Sequence, residues 1–345
     1  MKRFLLVLTL VVMSVCVFAQ ITPYGSARMG YWYDLRDEDM TGRDSELSMQ
    51  YFLQSNSRLG VNYKHENFDG RIELGVGGSF SLRLLYGKQT FGDFSLLVGQ
   101  DVILGTDFLA NQVYDSDLNL QGWGVAWGGR QPQIRLEMNN GFYAALITPH
   151  TSNGPANHPD HSARNPLFPR INLGYKVDLG NIKLTPAAVF QYYDYKDTHI
   201  YEDGGSVMSW LGAVTGEFTL DKILLNAQAN VGSNIGNMGY NVTKAADWDV
   251  EKAETLDVLT YGGLLTATFN MDSTTNFTLG FGYTANSMED WDNTDDRMAL
   301  YVQANKRLGR LRLTPEVGML NEMKNQNDES QGMLMYFGAQ LRFDF

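Results

Sequence analysis

Residues 332–345 read GMLMYFGAQLRFDF, and this closing stretch decides the fold. Met333, Met335, Phe337, Ala339, Leu341, Phe343 and Phe345 fall on one side of a period-two alternation. Polar or small residues, Arg342 and Asp344 among them, fall on the other. Period two is the mark of an extended strand with one apolar face. The same pattern runs back through the chain. Leu311, Leu313, Pro315 and Val317 alternate with Arg312, Thr314 and Glu316, and Phe277, Leu279, Phe281 and Tyr283 alternate with Thr278, Gly280 and Gly282. Ile171, Leu173, Tyr175 and Val177, and further upstream Ile72, Leu74 and Val76, keep the same beat. A soluble sandwich also alternates, so the polar face decides. Here it holds Arg, Lys, Glu, Asn and Gly, while the apolar face begins and ends in aromatics. That combination fits a wet interior and a lipid-facing exterior with aromatic residues at the two interfaces.

The connections come in two kinds. Short turns are expected at 66–69, 91–93, 139–141, 180–181, 221–222, 272–274 and 308–309. Longer polar loops are expected near 35–47, 103–119, 150–168, 196–206, 240–256, 289–296 and 323–331, with one short exception at Gly77-Gly78-Ser79. Short turns on one rim and long loops on the other is the arrangement of outer-membrane barrels. The segments count to sixteen strands, among them 48–64, 120–138 and 169–179. Gly128-Gly129-Arg130-Gln131-Pro132 would split 120–138 in two. That split gives seventeen, an odd count disfavoured in a single-chain bacterial barrel, so one long, bulged strand is expected there. The fold class is therefore all-β, a transmembrane antiparallel β-barrel of sixteen strands.

The ends and the composition agree. Lys2 and Arg3 precede an apolar run from Phe4 to Val12, and Val17-Phe18-Ala19 supplies small residues before Gln20. This predicts a cleaved signal peptide over 1–19 and a single barrel domain over 20–345. Cys16, the only cysteine, raises a lipoprotein signal as the alternative, but Val15 before it is a poor lipobox residue. The mature chain would then hold no thiol and no disulfide. Beyond residue 20 no apolar run reaches eighteen residues, so no spanning helix is available. A net charge of −12 argues against nucleic acid as a partner.

Sixteen strands close a barrel wide enough for an aqueous channel. A charge facing the hydrocarbon midplane costs roughly 2–4 kcal/mol for Arg or Lys. The alternation therefore sends Arg58, Arg71, Arg83, Arg135, Lys183, Arg312 and Arg342 into the lumen, with Glu73, Glu137 and Glu316. Arg58, Arg71, Arg83 and Arg135 lie on the second, third, fourth and sixth strands and could form a positive ladder. The loop after the fifth strand carries Asp107, Asp115 and Asp117, with Asp101 just before it. Folded inward, that loop would set carboxylates across a constriction from the guanidinium groups, creating a transverse field that orients water and dipolar solutes. The plainer alternative makes these solvated charges joined in Arg–carboxylate pairs.

With these residues in view, the chain resembles the general Gram-negative porins. The resemblance spans essentially the whole mature chain. It rests on Asn56-Ser57-Arg58-Leu59-Gly60-Val61, Arg71-Ile72-Glu73-Leu74-Gly75, Val98-Gly99-Gln100-Asp101, Gln133-Ile134-Arg135-Leu136 and the terminal Gln340-Leu341-Arg342-Phe343-Asp344-Phe345. It implies a homotrimer of sixteen-stranded barrels in the bacterial outer membrane, with passive diffusion of small hydrophilic solutes and ions and no catalysis or cofactor. It also implies a third loop that narrows the pore against Arg58, Arg71 and Arg83. Phe345 would be the signal read by the barrel assembly machinery. The chain departs from the family in its short second loop, Gly77-Gly78-Ser79, where the family has a segment that latches onto a neighbouring subunit. Its third loop also lacks a Pro-Glu-Phe-Gly-like tip.

Other constellations favour blander readings. His150, His158 and His161 with Asp160 fit no closed zinc spacing and read as an external loop, so no metal site is expected. No Gly-x-Ser-x-Gly elbow is present, and His65 and His199 lie at a turn and a loop rather than beside a strand serine, so no hydrolase is expected. Segments 34–46, 247–257, 289–296 and 322–329 hold 19 of the 39 acidic residues. Such a rim could bind divalent cations that bridge lipopolysaccharide phosphates, or serve only solubility. Two other functions stay open. One is a substrate-specific channel for sugars, guided by lumen aromatics such as Tyr193 and Tyr301, or for organic anions. The other is a structural or adhesive barrel without transport.

Overall fold

The alternating segments form strands because a strand in lipid must satisfy its backbone groups on both edges while sending alternate side chains to opposite faces. The structure, a computed structural model, describes residues 20–106, 109–150, 164–195, 205–240, 244–249, 251–252 and 254–345. The proposed signal segment 1–19, Asp107, His158, Asp160, His161 and His199 lie outside the described residues. Sixteen wall strands follow one another. β1 is Gln20–Arg36, and β2 runs in two pieces, Glu46–Leu53 and Arg58–His65. β3 is Phe68–Gly75, β4 Ser81–Phe91, β5 Phe94–Val102, β6 Arg130–Met138 and β7 Phe142–Ile147. β8 is Arg164–Pro166, Arg170–Tyr175 and Val177–Asp178 in succession. β9 is Ile182–Tyr195, β10 Ser206–Leu220, β11 Ile223–Ser233 and β12 Val258–Asn270. β13 is Thr275–Met288, β14 Asp295–Leu308, β15 Leu311–Asn321 and β16 Met333–Asp344.

Each strand pairs antiparallel with its successor, and β16 returns to β1 in continuous register from Ser26↔Asp344 to Arg36↔Leu334. The sheet is therefore closed and has no free edge. The final stretch behaves as its alternation requires. Phe337 and Phe343 are 53% and 54% exposed on the outer face, whereas Tyr336 and Gln340, on the opposite beat, are 1% and 2% exposed. No helix among the described residues is long and apolar enough to cross a membrane, so the wall is made by strands alone.

Three expectations change. Residues 120–138 are not one bulged strand, because only Arg130–Met138 belongs to the wall. Residues 120–127 belong to the inward loop, and Gly128-Gly129 joins the two, with Gly129 at a positive φ of 79°. The strand count stays at sixteen. The second strand breaks over 54–57, where Gln54 and Ser57 turn inward and are buried. The expected polar loop 240–256 begins earlier and is partly apolar. A 3-10 turn at Ile235–Met238 is fully buried, and a small hairpin pairs Asp247–Asp249 with Glu254–Leu256 outside the wall.

Candidate functional site: the narrowed lumen

The connection after β5 spans 103–129, and its described residues, 103–106 and 109–129, lie across the inside of the barrel. Its backbone polar groups are satisfied by wall side chains, as a loop buried in a barrel requires. Glu316 on β15 accepts the amides of Val113 (2.7 Å) and Tyr114 (3.2 Å), and Tyr336 on β16 donates its hydroxyl to the same carboxylate at 2.8 Å. Asn111 reaches Thr278 and Tyr301. Gln54 holds the Val113 carbonyl. On the return path Gly124 donates to Thr284, and the Ala126 amide donates to Gln228. The loop backbone lies so close to the wall that a Cβ on Gly282 would overlap the Trp123 carbonyl.

An apolar core forms between this loop and the wall. Trp32, Tyr114, Leu120, Trp123, Val125 and Tyr301 are buried together there. Tyr114 stacks on Tyr336 at 3.8 Å between centroids, and Trp32 meets both edge-on. A second patch adds Ala126 of the loop to Ile235, Met238 and Tyr240 from the connection after β11, against Val189 and Leu211 of the wall. Arg170 is fully buried beside it and donates to the carbonyls of Met238 and Thr148. At the level of the loop, the inner wall from β7 round to β1 is thus largely covered.

What stays open lies against β2 to β6. A polar cavity of about 300 Å³ sits between Arg58, Arg83 and Arg130 on the wall and Asp117, Asn119 and Gln121 on the loop. Arg83 owes its place to a β-bulge. Glu73 and Leu74 of β3 face Leu84 and Leu82 of β4, so Arg83 is the extra residue; bulges of this kind re-aim a side chain. The loop tip is held in an uncommon backbone. Asp115, Ser116, Asp117, Asn119 and Leu120 all have positive φ, between 44° and 65°. Such conformations persist only where the surroundings over-determine them, which the anchors above do.

The structure places the sequence-predicted residues as follows. Arg58, Arg71 and Arg83 gather on one wall carboxylate, Glu73, at 3.5, 2.9 and 2.7 Å, and the Tyr24 hydroxyl donates to it at 2.8 Å. Glu73 is 1% exposed. Arg135 bonds Asp101 at 2.7 Å and Glu137 at 3.0 Å, so Asp101 is a wall residue in a wall pair and not part of the loop. Asp115 is exposed and does not line the opening. Asp117 does face the cavity and forms an ion pair with Arg28 on β1 while accepting from Gln340. Arg–carboxylate pairing within the wall thus coexists with an inward loop. Of Asp101, Asp115 and Asp117, only Asp117 meets a guanidinium group across from the loop.

Sequence reasoning missed Arg28 and Arg130. Arg28 sits on the lumen beat of β1 and was legible from alternation with Ser26; Arg130 was hidden in the ambiguous Gly-Gly step. It also missed the role of Glu316, which is no solvated lumen charge but a buried acceptor, 4% exposed, for the loop. Tyr193 and Tyr301 are both fully buried. Tyr301 lies beneath the loop, donating to Asn111, so neither lines a surface along which a sugar could slide.

No protein-family model matches the chain, and no curated protein matches it in sequence. Solved structures do match in shape. The outer membrane channel DcaP of Acinetobacter baumannii aligns with a TM-score of 0.72 at 15% identity, covering 95% of this chain and 98% of that one. The anion-selective porin from Comamonas acidovorans aligns at 0.61 and 11% identity, covering 95% and 100%. In-vitro folded OmpT of Vibrio cholerae, in its trimer form, aligns at 0.59 and 12% identity, covering 95% and 99%. At such identities the likeness is one of architecture. The chain has the closed sixteen-stranded antiparallel barrel fold of the outer-membrane porins.

Proposed function

We propose that this chain is a bacterial outer-membrane porin that lets small hydrophilic solutes and ions diffuse passively through its lumen. The observation that carries this is the polar opening left when the 103–129 loop lies inside a closed barrel. Three guanidinium groups, Arg58, Arg83 and Arg130, border it against the single carboxylate of Asp117. Charge at a constriction biases ion choice, so the opening favours anions, as the name of the Comamonas acidovorans relative states for that protein. Arg71 and Arg135 act behind this rim through Glu73, Asp101 and Glu137. Asp115 remains a member of the narrowing loop, without an assigned contact to the solute, and Asp107 lies outside the described residues.

The rest of the reading follows from the outer-membrane setting. Residues 1–19 act as the cleaved export signal and 20–345 as the mature barrel. Phe345 projects outward at 57% exposure, with its backbone tied to Gly25, where assembly machinery would engage it. The acidic long-loop rim would meet lipopolysaccharide through divalent cations. An apolar groove on the outer face, lined by Leu59, Val61, Ile72, Leu74 and Phe345, supports a contact between copies in a homotrimer, the state in which the Vibrio cholerae relative was solved.

Purified protein in planar bilayers tests the reading: stable ohmic steps are expected, and absence of conductance from a folded barrel would leave a structural or adhesive role. Replacing both Arg58 and Arg83 with Ala should shift the reversal potential toward cation preference. The extensive filling of the lumen favours one refinement, a channel selective among organic anions. Saturable block of the chloride current by one class of carboxylate would establish it.

A further inference from the structure

Four arginines stand in direct register on four adjacent strands. Arg28 of β1 faces Arg342 of β16, Arg342 faces Arg312 of β15, and Arg312 faces Arg307 of β14. All four fall on the lumen beat, since the flanking Leu341, Phe343 and Leu308 are exposed on the outer face. Neighbours in register lie about 4.5–5.5 Å apart, so four positive charges are set within about 15 Å of wall. Like charges directly opposite one another destabilise a sheet, and the row is only partly neutralised. Asp117 pairs with Arg28, and Asp344 pairs with Arg342 at 2.6 Å. No carboxylate lies within ion-pair distance of Arg312 or Arg307 among the described residues. Arg307 gives its Nε to the Gly309 carbonyl, and the buried Nε of Arg312 has no hydrogen-bond partner.

The row also has a direction. Barrel strands tilt by about 35–45° from the axis, so a line of residues in register climbs as it passes round the wall. Arg28 sits mid-strand beside the tip of the narrowing loop, whereas Arg307 lies two residues before Gly309 in the short turn between β14 and β15. There the row opens into a polar cavity of about 470 Å³ at the short-turn rim. Lys222, Asp272, Thr274, Asn305, Arg307 and Arg312 line it, three cations against one acid.

We propose that Arg342, Arg312 and Arg307, which continue the row from the buried Arg28, form an inclined cationic track that carries small oxyanions between the constriction and a binding site at the short-turn rim, formed by Arg312, Arg307 and Lys222. Guanidinium forks suit phosphate and carboxylate oxygens, and a row of partly neutralised sites lets an anion pass from one to the next without a deep trap. The inference rests on the channel reading above and adds to it a second site distant from the narrowing.

Single-channel recording in KCl, with inorganic phosphate added to each side in turn, tests it. Wild-type current should fall with phosphate in a saturable manner. In the Arg307→Gln, Arg312→Gln double variant the phosphate needed for the same reduction should rise about tenfold, and the chloride-to-potassium permeability ratio should fall about threefold. Arg307→Gln alone, an exposed change at the rim, should show about a third of the phosphate effect and serves if the double variant fails to fold. Lys306→Gln removes the same charge one residue away on the outer face, where Lys306 bonds Thr274 and Thr275, and should alter neither quantity. Conducting variants with wild-type phosphate dependence and ion preference would overturn the track while leaving the channel intact. A wild-type barrel that does not conduct would overturn the channel reading itself.

Discussion

The two halves of the inner wall are built on different physics. From β7 round to β1 the lumen side at the level of the loop is packed like the interior of a soluble protein, with Trp32, Tyr301 and Tyr336 buried against Tyr114 of the 103–129 loop. From β2 to β6 it is a lattice of charges, in which Glu73 gathers three arginines and Glu137 gathers Arg135, Lys88 and Lys176. The comparison teaches that one loop does two jobs. At the level of the loop it covers half of the lumen, and there it leaves open only the half where the side chains are charged. Burial on one side is thus the cause of the electrostatic character of the passage on the other.

The largest effect should come from releasing the loop. Glu316→Ala leaves the Val113 and Tyr114 amides without their acceptor, and each orphaned buried amide costs about 1–3 kcal/mol. The loop should detach from β15. Single-channel conductance should rise about twofold or more, and the loop should become open to protease; unchanged conductance would show that other anchors suffice.

A smaller effect should come from crowding the same half. Gly282→Ala places a methyl group against the Trp123 carbonyl, and overpacking of this kind typically costs about 1–3 kcal/mol. The temperature at which the barrel loses its heat-modifiable gel mobility should drop, with conductance rising less than for Glu316→Ala. A variant as heat-resistant as the wild type would mean that the loop backbone yields freely there.

The smallest effect should come from the charged half. Glu73→Gln removes the shared partner of Arg58, Arg71 and Arg83 and leaves their positive charge less compensated. The chloride-to-potassium permeability ratio should rise about two- to threefold, with little change in conductance. A ratio that falls would mean that Glu73 holds the guanidinium groups toward the passage and that they turn away without it.

These contrasts also explain what could be read in advance. Alternation located the lumen charges because facing is a local property: Arg58, Arg71 and Glu73 take their side from their neighbours in sequence. Their grouping on a single carboxylate was less accessible, since it depends on the register of β2, β3 and β4 and on the bulge at Arg83. Asp115 and Asp117 stand two residues apart on the same loop, yet one is exposed away from the cavity and the other lines it and faces Arg28. No pattern of residue types separates them, because a chain of positive-φ residues sets their directions.

The sequence by itself determined the number of wall strands, the side on which each strand residue falls, and the division into short-turn and long-loop rims. All three follow from a period of two and from the cost of exposing charge to hydrocarbon. Only the tertiary structure decided that residues 120–127 leave the wall, that Glu316 anchors a loop and that four arginines share one register line. Those outcomes join residues up to 314 positions apart, Arg28 and Arg342 among them. They depend on the closure of the barrel and on which buried polar groups find partners, and neither is encoded in any short stretch of chain.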